Sequence, residues 1–75
     1  RVYPNPLLSG AWTLSVNAAL VGTALEVYDA TGRVIFKDII RKEQSAIDLN
    51  AAPGIYFLRI VSGNQVVATK KLVKT

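Results

Sequence analysis

The chain has 75 residues, of which 51% are hydrophobic, so its size and composition suit one small domain, residues 1–75, with a genuine core. It contains no cysteine and no histidine, which excludes disulfide bonds and removes two of the commonest metal-binding side chains. The net charge is +4, but the basic residues are spread along the chain, so we expect no nucleic-acid partner. No apolar run reaches the ~18 residues of a membrane span.

The first part of the chain predicts a rigid turn followed by a half-buried strand. The prolines of residues 4–6 fix the backbone and exclude a helix, and the leucines of residues 7–8 are expected to lie under the sandwich. Apolar and polar side chains then alternate over residues 11–17, which predicts an antiparallel strand with Trp12 in the core. Residues 18–23 are interpreted as a connection, because a glycine follows too soon for a helix.

Residues 24–39 predict a β-hairpin. Residues 29–32 favour a tight turn, because aspartate accepts bonds from the following N–H groups and glycine tolerates positive φ. On each strand the alternation places two apolar side chains on a shared face, namely Leu25 with Val27 and Val34 with Phe36. A polar loop over residues 41–45 and a short strand over residues 46–49 should follow.

The most apolar stretch is residues 53–61, where the turn pair Pro53-Gly54 is predicted to lead directly into a strand of seven residues, and Tyr56, Leu58 and Ile60 fall on one face of that strand. A tight turn then leads to a last strand over residues 65–73, whose alternation leaves two registers open. One of two sets of side chains faces inward in that strand: Val66, Ala68 and Leu72, or Val67, Thr69 and Val73.

About seven short strands separated by turns predict an all-β fold, which we interpret as an immunoglobulin-like antiparallel β-sandwich. The run Pro53-Gly54-Ile55-Tyr56 has the form of a tyrosine corner. In that motif a tyrosine hydroxyl binds upstream backbone two residues before a core position, which here is Leu58. The alternative is that Tyr56 only packs its ring, and both interpretations bury the ring.

No set of residues predicts catalysis or a cofactor. A hydrolytic triad needs a base, and the chain has neither histidine nor cysteine to supply one. The five acidic residues lie beside turns or at outward strand positions, so we expect solvated carboxylates. The glycines stand singly and form no phosphate-binding loop. The sequence therefore predicts a protein that is not an enzyme.

Four motifs, in a fixed order, resemble one known family. They are the opening Tyr3-Pro4-Asn5-Pro6, the turn Asp29-Ala30-Thr31-Gly32-Arg33 between two strands, the run Gly54-Ile55-Tyr56, and the basic terminal run Lys70-Lys71-Leu72-Val73-Lys74. In these features, and over essentially its whole length, the chain resembles the C-terminal sorting domains of the type IX (Por) secretion system of Bacteroidetes.

The resemblance implies a sorting signal that takes an attached cargo protein through the periplasm and across the outer membrane to the cell surface. The partners it implies are the outer-membrane secretion machinery, a sortase-like cysteine protease and an anionic lipopolysaccharide. The candidate recognition residues that it implies are Gly54, Tyr56, Lys70, Lys71, Val73 and Lys74. Because the chain opens at Arg1 without a methionine or signal peptide, we expect it to be a piece of a longer protein.

Residues 65–75 suit such recognition, because they offer an exposed edge strand together with basic charge. The alternative hypothesis is a passive structural or adhesive module of the fibronectin type III kind, whose lysines would bind an anionic surface glycan. The strand pattern allows both hypotheses. A dimer formed through open strand edges is a further alternative.

Overall fold

Alternating apolar and polar side chains organise the chain into seven strands. The structure is a computed structural model that describes all of residues 1–75. One turn of 3-10 helix, Ala18–Leu20, joins the second strand to the third. The strands are β1 (Val2–Tyr3), β2 (Trp12–Ser15), β3 (Ala24–Asp29), β4 (Val34–Ile39), β5 (Gln44–Ile47), β6 (Gly54–Ser62) and β7 (Gln65–Lys74).

The strands form two antiparallel sheets. One sheet has the order β1-β2-β5, and the other has the order β4-β3-β6-β7. β6 lies between β3 and β7, so that Leu58 pairs with Val27 on one side and with Lys70 on the other. The predicted all-β sandwich is therefore confirmed, with the most apolar strand inside the larger sheet.

Twelve buried side chains, all hydrophobic, form the core between the sheets. Both sheets and the segments between the strands contribute to it: Leu7, Trp12, Leu14, Leu25, Val27, Ile40, Ile47, Leu49, Tyr56, Leu58, Ile60 and Leu72. The face of β6 that the sequence predicts to be inward is the buried one, and Trp12 is completely buried. Removal of these side chains from water is the main force that stabilises the fold.

Two local predictions need correction. β5 begins at Gln44, two residues before the predicted start, because Gln44 pairs with Ser15 of β2. The first residues of the strand are polar, so a prediction based on alternating apolar residues does not include them. Leu8 is exposed, whereas Leu7 enters the core. The connection after β2 is present as predicted, and the one 3-10 turn within it is capped by the Asn17 side chain.

A β-bulge changes the predicted faces of the first hairpin. In the pairing of β3 with β4, Val27 faces Phe36 and Tyr28 faces Val34, so Ile35 is an extra residue. Val34 and Phe36 therefore lie on opposite faces of the sheet, contrary to the prediction that they share one. Phe36 packs against the core, and Val34 is exposed on the outer side of the sheet.

A second bulge lies in the last hairpin and settles the register of β7. Ile60 faces Ala68 and Val61 faces Val66, which leaves Val67 as the extra residue. Below the bulge, Ala68 packs against the core and Leu72 is completely buried, as in the first of the two predicted sets. Val66, the third member of that set, is instead exposed because it lies beyond the bulge.

Candidate recognition surface

The positive charge of the molecule is concentrated in its last two strands. All five acidic residues precede Pro53, and five basic residues in the same part of the chain balance them. The net charge of +4 is therefore carried by β6 and β7, which have no acidic residue and these basic ones: Arg59, Lys70, Lys71 and Lys74. The ion pairs of the structure all lie before β6, and they are Arg33–Asp29, Lys37–Glu26 and Arg41–Asp38.

Lys70 and Lys71 present their charges to solvent on opposite sides of the large sheet. Lys70 pairs with Leu58 and lies on the core side, whereas Lys71 pairs with Phe57 and lies on the outer side. Both lysines are exposed, and neither belongs to any ion pair of the structure. They are therefore free to meet a partner from two directions.

Lys74 has a different environment from the other two lysines. Its ammonium group donates to the carbonyl oxygens of Leu49, at 3.0 Å, and Ala51, at 2.8 Å. These bonds tie the end of β7 to the segment that leads into β6. Lys74 therefore stabilises the sandwich itself, a role that the resemblance does not indicate.

The outer edge of β7 is half covered by the opening segment, which we define as residues 4–7. The Asn5 amide donates to the carbonyl oxygen of Lys71 and accepts from the N–H of Val73, both at 2.8 Å. The N–H of Leu7 donates to the carbonyl oxygen of Val73 at 2.7 Å, and the N–H of Thr75 donates to that of Leu7 at 2.9 Å. Asn5 thus supplies the donor and acceptor that a neighbouring strand would supply.

This cover corrects the expectation that residues 65–75 form a fully open edge. From Lys71 onward the edge is occupied, because the opening segment runs parallel to β7 and bridges Leu7 to Lys74. The two prolines suit this position, since they have no N–H group that the contact would leave unpaired. Val73, a candidate recognition residue, is half-buried beneath the cover.

The predicted tyrosine corner is present. The Tyr56 hydroxyl donates to the carbonyl oxygen of Ala52, and the Tyr56 ring is buried in the core. Two residues later, Leu58 is completely buried. Gly54 precedes the corner with a φ of +158°, a backbone conformation that residues other than glycine rarely adopt. Tyr56 and Gly54 therefore shape the start of β6.

One cluster of interacting side chains on the outer side of the large sheet was not predicted from the sequence. The Arg59 guanidinium lies over the Tyr28 ring, 4.6 Å from its centroid. The Tyr28 hydroxyl donates to Glu26 at 2.5 Å, and this bond is the main cause that raises the pKa of Tyr28. Glu26 in turn pairs with Lys37 at 3.8 Å. Tyr28 and Glu26 are two residues apart on β3, whereas Lys37 and Arg59 lie opposite Glu26 on the two neighbouring strands. The cluster therefore forms only through the observed strand pairing.

The carboxylates with shifted pKa values serve turns. Asp29 accepts from the Thr31 hydroxyl at 2.6 Å and from the Arg33 N–H at 3.0 Å, and these bonds lower its pKa. The pKa of Asp38 is lowered by its bond to Arg41 at 2.6 Å and by the N–H of Ile39. No three acidic side chains are grouped to hold a metal ion, and no helix is long and apolar enough to cross a bilayer.

All 75 residues of the chain match a known family, described as "Secretion system C-terminal sorting domain". The chain belongs to this family, the sorting domains of type IX secretion. The sorting domain is also similar to the Funoran endo-beta-hydrolase of Wenyingzhuangia aestuarii, with 25% identity over 73 residues. The match covers 96% of the chain but 10% of that protein, so the chain spans about a tenth of its relative's length. No solved structure matches the sorting domain.

Membership of this family establishes the general role of the chain. It is a C-terminal sorting signal of type IX secretion, and the family is a secretion tail, not a catalytic domain. Interaction with the type IX machinery and export to the outer membrane or cell surface follow from the family. The six candidate recognition residues stay predictions, because family membership does not test them singly.

Proposed function

We propose that the sorting domain acts as one unit, residues 1–75, that directs an attached cargo protein through the periplasm, across the outer membrane and to attachment at the cell surface. The observation that carries this proposal is the location of the whole net charge of +4 on β6 and β7. Lys70 and Lys71 supply half of that charge without an ion-pair partner. Unpaired charge on a fixed strand favours fast and selective encounter with a partner of opposite charge.

The candidate recognition residues divide into two groups under this proposal. Lys70 and Lys71 contact the secretion machinery, because they are exposed and unpaired. The others hold the shape that presents these lysines, and they are Gly54, Tyr56, Val73 and Lys74. Loss of a residue in the second group would therefore reduce export through reduced stability.

The cargo and its processing complete the proposal. In the funoran endo-beta-hydrolase, the matched segment is a tenth of the protein, which is consistent with a label joined to a larger cargo. We infer that a sortase-like cysteine protease removes the label near or before Arg1 and joins the cargo to an anionic lipopolysaccharide. A retained label would instead leave the domain on the surface component.

Export of a reporter fusion tests the role of the two lysines. The sorting domain is fused behind a signal peptide and a fluorescent reporter in a bacterium with a type IX system. We expect Lys70→Glu combined with Lys71→Glu to leave the reporter in the periplasm, because reversed charge repels the acidic partner. Removal of residues 70–75 is a poorer test, since it also deletes Leu72 from the core.

The control reverses an exposed lysine outside β6 and β7 that forms no ion pair, Lys42→Glu. We expect this control to export the reporter normally. Both purified variants should keep the thermal midpoint of the wild type to within a few degrees, so that export reports recognition. Normal export of the Lys70→Glu, Lys71→Glu protein would contradict the proposal.

The exposed lysines also favour a second candidate, direct binding of an anionic glycan such as lipopolysaccharide. A charge-driven site of this kind weakens steeply as salt screens it, with a Debye length of about 8 Å at physiological ionic strength. Titration with lipopolysaccharide at low and high salt measures this dependence. Saturable, salt-sensitive binding by a domain whose reporter fusion is not exported would favour the passive surface module instead.

A further inference from the structure

The outer face of the large sheet, which points away from the core, carries several exposed apolar side chains. Cross-strand partners share a face, so the register places Val34 beside Tyr28, Ile39 beside Ala24, and Val66 beside Val61, all on the side away from the core. With Ile55 and Phe57 of β6, this outer face holds five of the eight exposed large hydrophobic residues, and each is 37–52% exposed. When one face of an antiparallel sheet is exposed only to water, the side chains on that face are usually polar.

The centre of the outer face is ordered before any partner arrives. Arg59 stacks on Tyr28, and Tyr28 is held by its bond to Glu26. Phe57 lies directly opposite Tyr28 across the strands. Aromatic residues and arginine dominate the energetic centres of protein interfaces, and side chains that are already fixed lose little entropy on binding. The outer face therefore has the composition and the order of a protein interface.

The charge of the outer face indicates the chemistry of its partner. Arg59 and Lys71 lie on this face, and neither forms an ion pair with a carboxylate. The single acidic residue of the face, Glu26, already binds Lys37 and Tyr28. A partner that covers the apolar residues must also meet two positive charges. Acidic side chains at those points give the complementary surface.

We propose that the outer face of the β4-β3-β6-β7 sheet is a docking surface for an apolar protein surface that carries carboxylates opposite Arg59 and Lys71. The proposal deepens the proposed function, on which it rests, because it places the contact with the outer-membrane secretion complex on a sheet face in addition to the strand end. Phe57 is its central anchor, and Arg59 sets the orientation of the partner. A second copy of the chain fits poorly, since it would bring equal positive charges together.

The purified sorting domain, titrated with the purified outer-membrane secretion complex, tests the surface. We expect Phe57→Glu to weaken binding by about tenfold or more, as truncation of a central anchor commonly does. Leu8→Glu is the matched control, because Leu8 is 79% exposed and lies off this face, and we expect a change of less than about twofold. Equal affinities for the two variants, both still folded by circular dichroism, would overturn the proposal.

Charge reversal at the centre provides a second variant that leaves the apolar residues in place. We expect Arg59→Glu to weaken binding by a similar factor and Arg59→Lys to recover part of it, because the partner's carboxylates need a positive charge there. Binding that is unchanged by Arg59→Glu would contradict the assigned partner chemistry.

The wild type and the Phe57→Glu variant also test two other possible partners of the outer face, a lipid surface and a second copy of the chain. Sedimentation with vesicles of phosphatidylethanolamine and phosphatidylglycerol tests a lipid surface, and analytical ultracentrifugation tests a second copy. Vesicle binding, or a dimer, that is lost in Phe57→Glu would overturn the proposal in favour of lipid or self-association. Monomeric wild type without vesicle binding supports it.

The reporter fusion separates this inference from the proposed function. If Lys70→Glu with Lys71→Glu blocks export while Phe57→Glu exports normally, the sorting function stands and the outer-face docking surface is refuted. If Phe57→Glu also blocks export while Leu8→Glu does not, both are supported. If neither the lysine pair nor Phe57 is needed for export, both fail.

Discussion

The hydroxyl of Tyr56 closes the turn before β6 while its ring fills the core, so the two parts of one side chain have separable energies. Tyr56→Phe keeps the ring and leaves the Ala52 carbonyl oxygen without its donor. We expect it to lower the free energy of unfolding by about 1–2 kcal/mol. Tyr56→Ala also removes the ring and should cost about 3–5 kcal/mol. Urea unfolding measures both, and an unchanged midpoint in Tyr56→Ala would contradict this division.

The pKa values of Asp29 and Asp38, lowered mainly by bonds from Thr31 and Arg41, predict how stability depends on pH. A carboxyl group whose folded pKa lies below its unfolded value of about 3.9 stabilises the protein above that pH. This contribution is lost as the pH falls through the folded pKa. We expect a steady thermal midpoint down to about pH 5 and a decline below about pH 4.

The double variant Asp29→Asn, Asp38→Asn isolates the contribution of these two carboxylates. Its thermal midpoint should fall less steeply with acid than that of the wild type, because neither substituted side chain titrates. Circular dichroism melts over a series of pH values make the comparison. Identical slopes for the two proteins would show that other groups cause the acid sensitivity.

Among the elements, β7 has its outer edge covered by the backbone of Leu7 and by one side chain, that of Asn5. Asn5→Ala removes both bonds to β7. We expect a loss of about 1–2 kcal/mol and faster hydrogen exchange at the Val73 amide, whose acceptor is gone. The matched control is Asn50→Ala, because Asn50 is exposed and its side chain makes no hydrogen bond. Equal exchange at Val73 in both variants would contradict the covering role.

The strands themselves were largely predictable, whereas their irregularities were not. Leu25, Val27 and the inward side of β6 follow simple alternation, and the sequence places them correctly. The bulges at Ile35 and Val67 were missed, because an extra residue changes the face of its neighbours without altering composition. Local pattern therefore defines a strand better than its register.

Contacts between distant residues limit what the sequence reveals about the candidate surface. The tyrosine corner was predictable because Tyr56 and Ala52 are four residues apart. Asn5 meets Val73 across 68 residues, and nothing near Asn5 indicates that partner. The resemblance marked the opening residues and the basic end as separate motifs, and the structure shows that they are in contact.

At the scale of the whole molecule, the two sheets share one core, so we expect them to unfold together. Trp12 reports the small sheet, since its indole is fully buried at the start of β2, and Leu58 and Leu72 extend the same core from the large sheet. Tryptophan fluorescence and far-ultraviolet circular dichroism should give coincident urea transitions. Two separated transitions would show that the sheets are independent, contrary to the single cluster of buried side chains.

The parallel contact between the opening segment and β7 has a mechanical consequence. The bridge between Leu7 and Lys74 is parallel, so a pull on the amino-terminal side of Leu7 and a pull on the end of β7 act in opposite directions along the contact. Tension applied between these two points therefore shears the strands past each other, and the hydrogen bonds of Asn5, Leu7 and Thr75 resist it simultaneously. Tension applied across the same contact would open those bonds one after another. A pull along the two segments thus meets the stronger of the two arrangements.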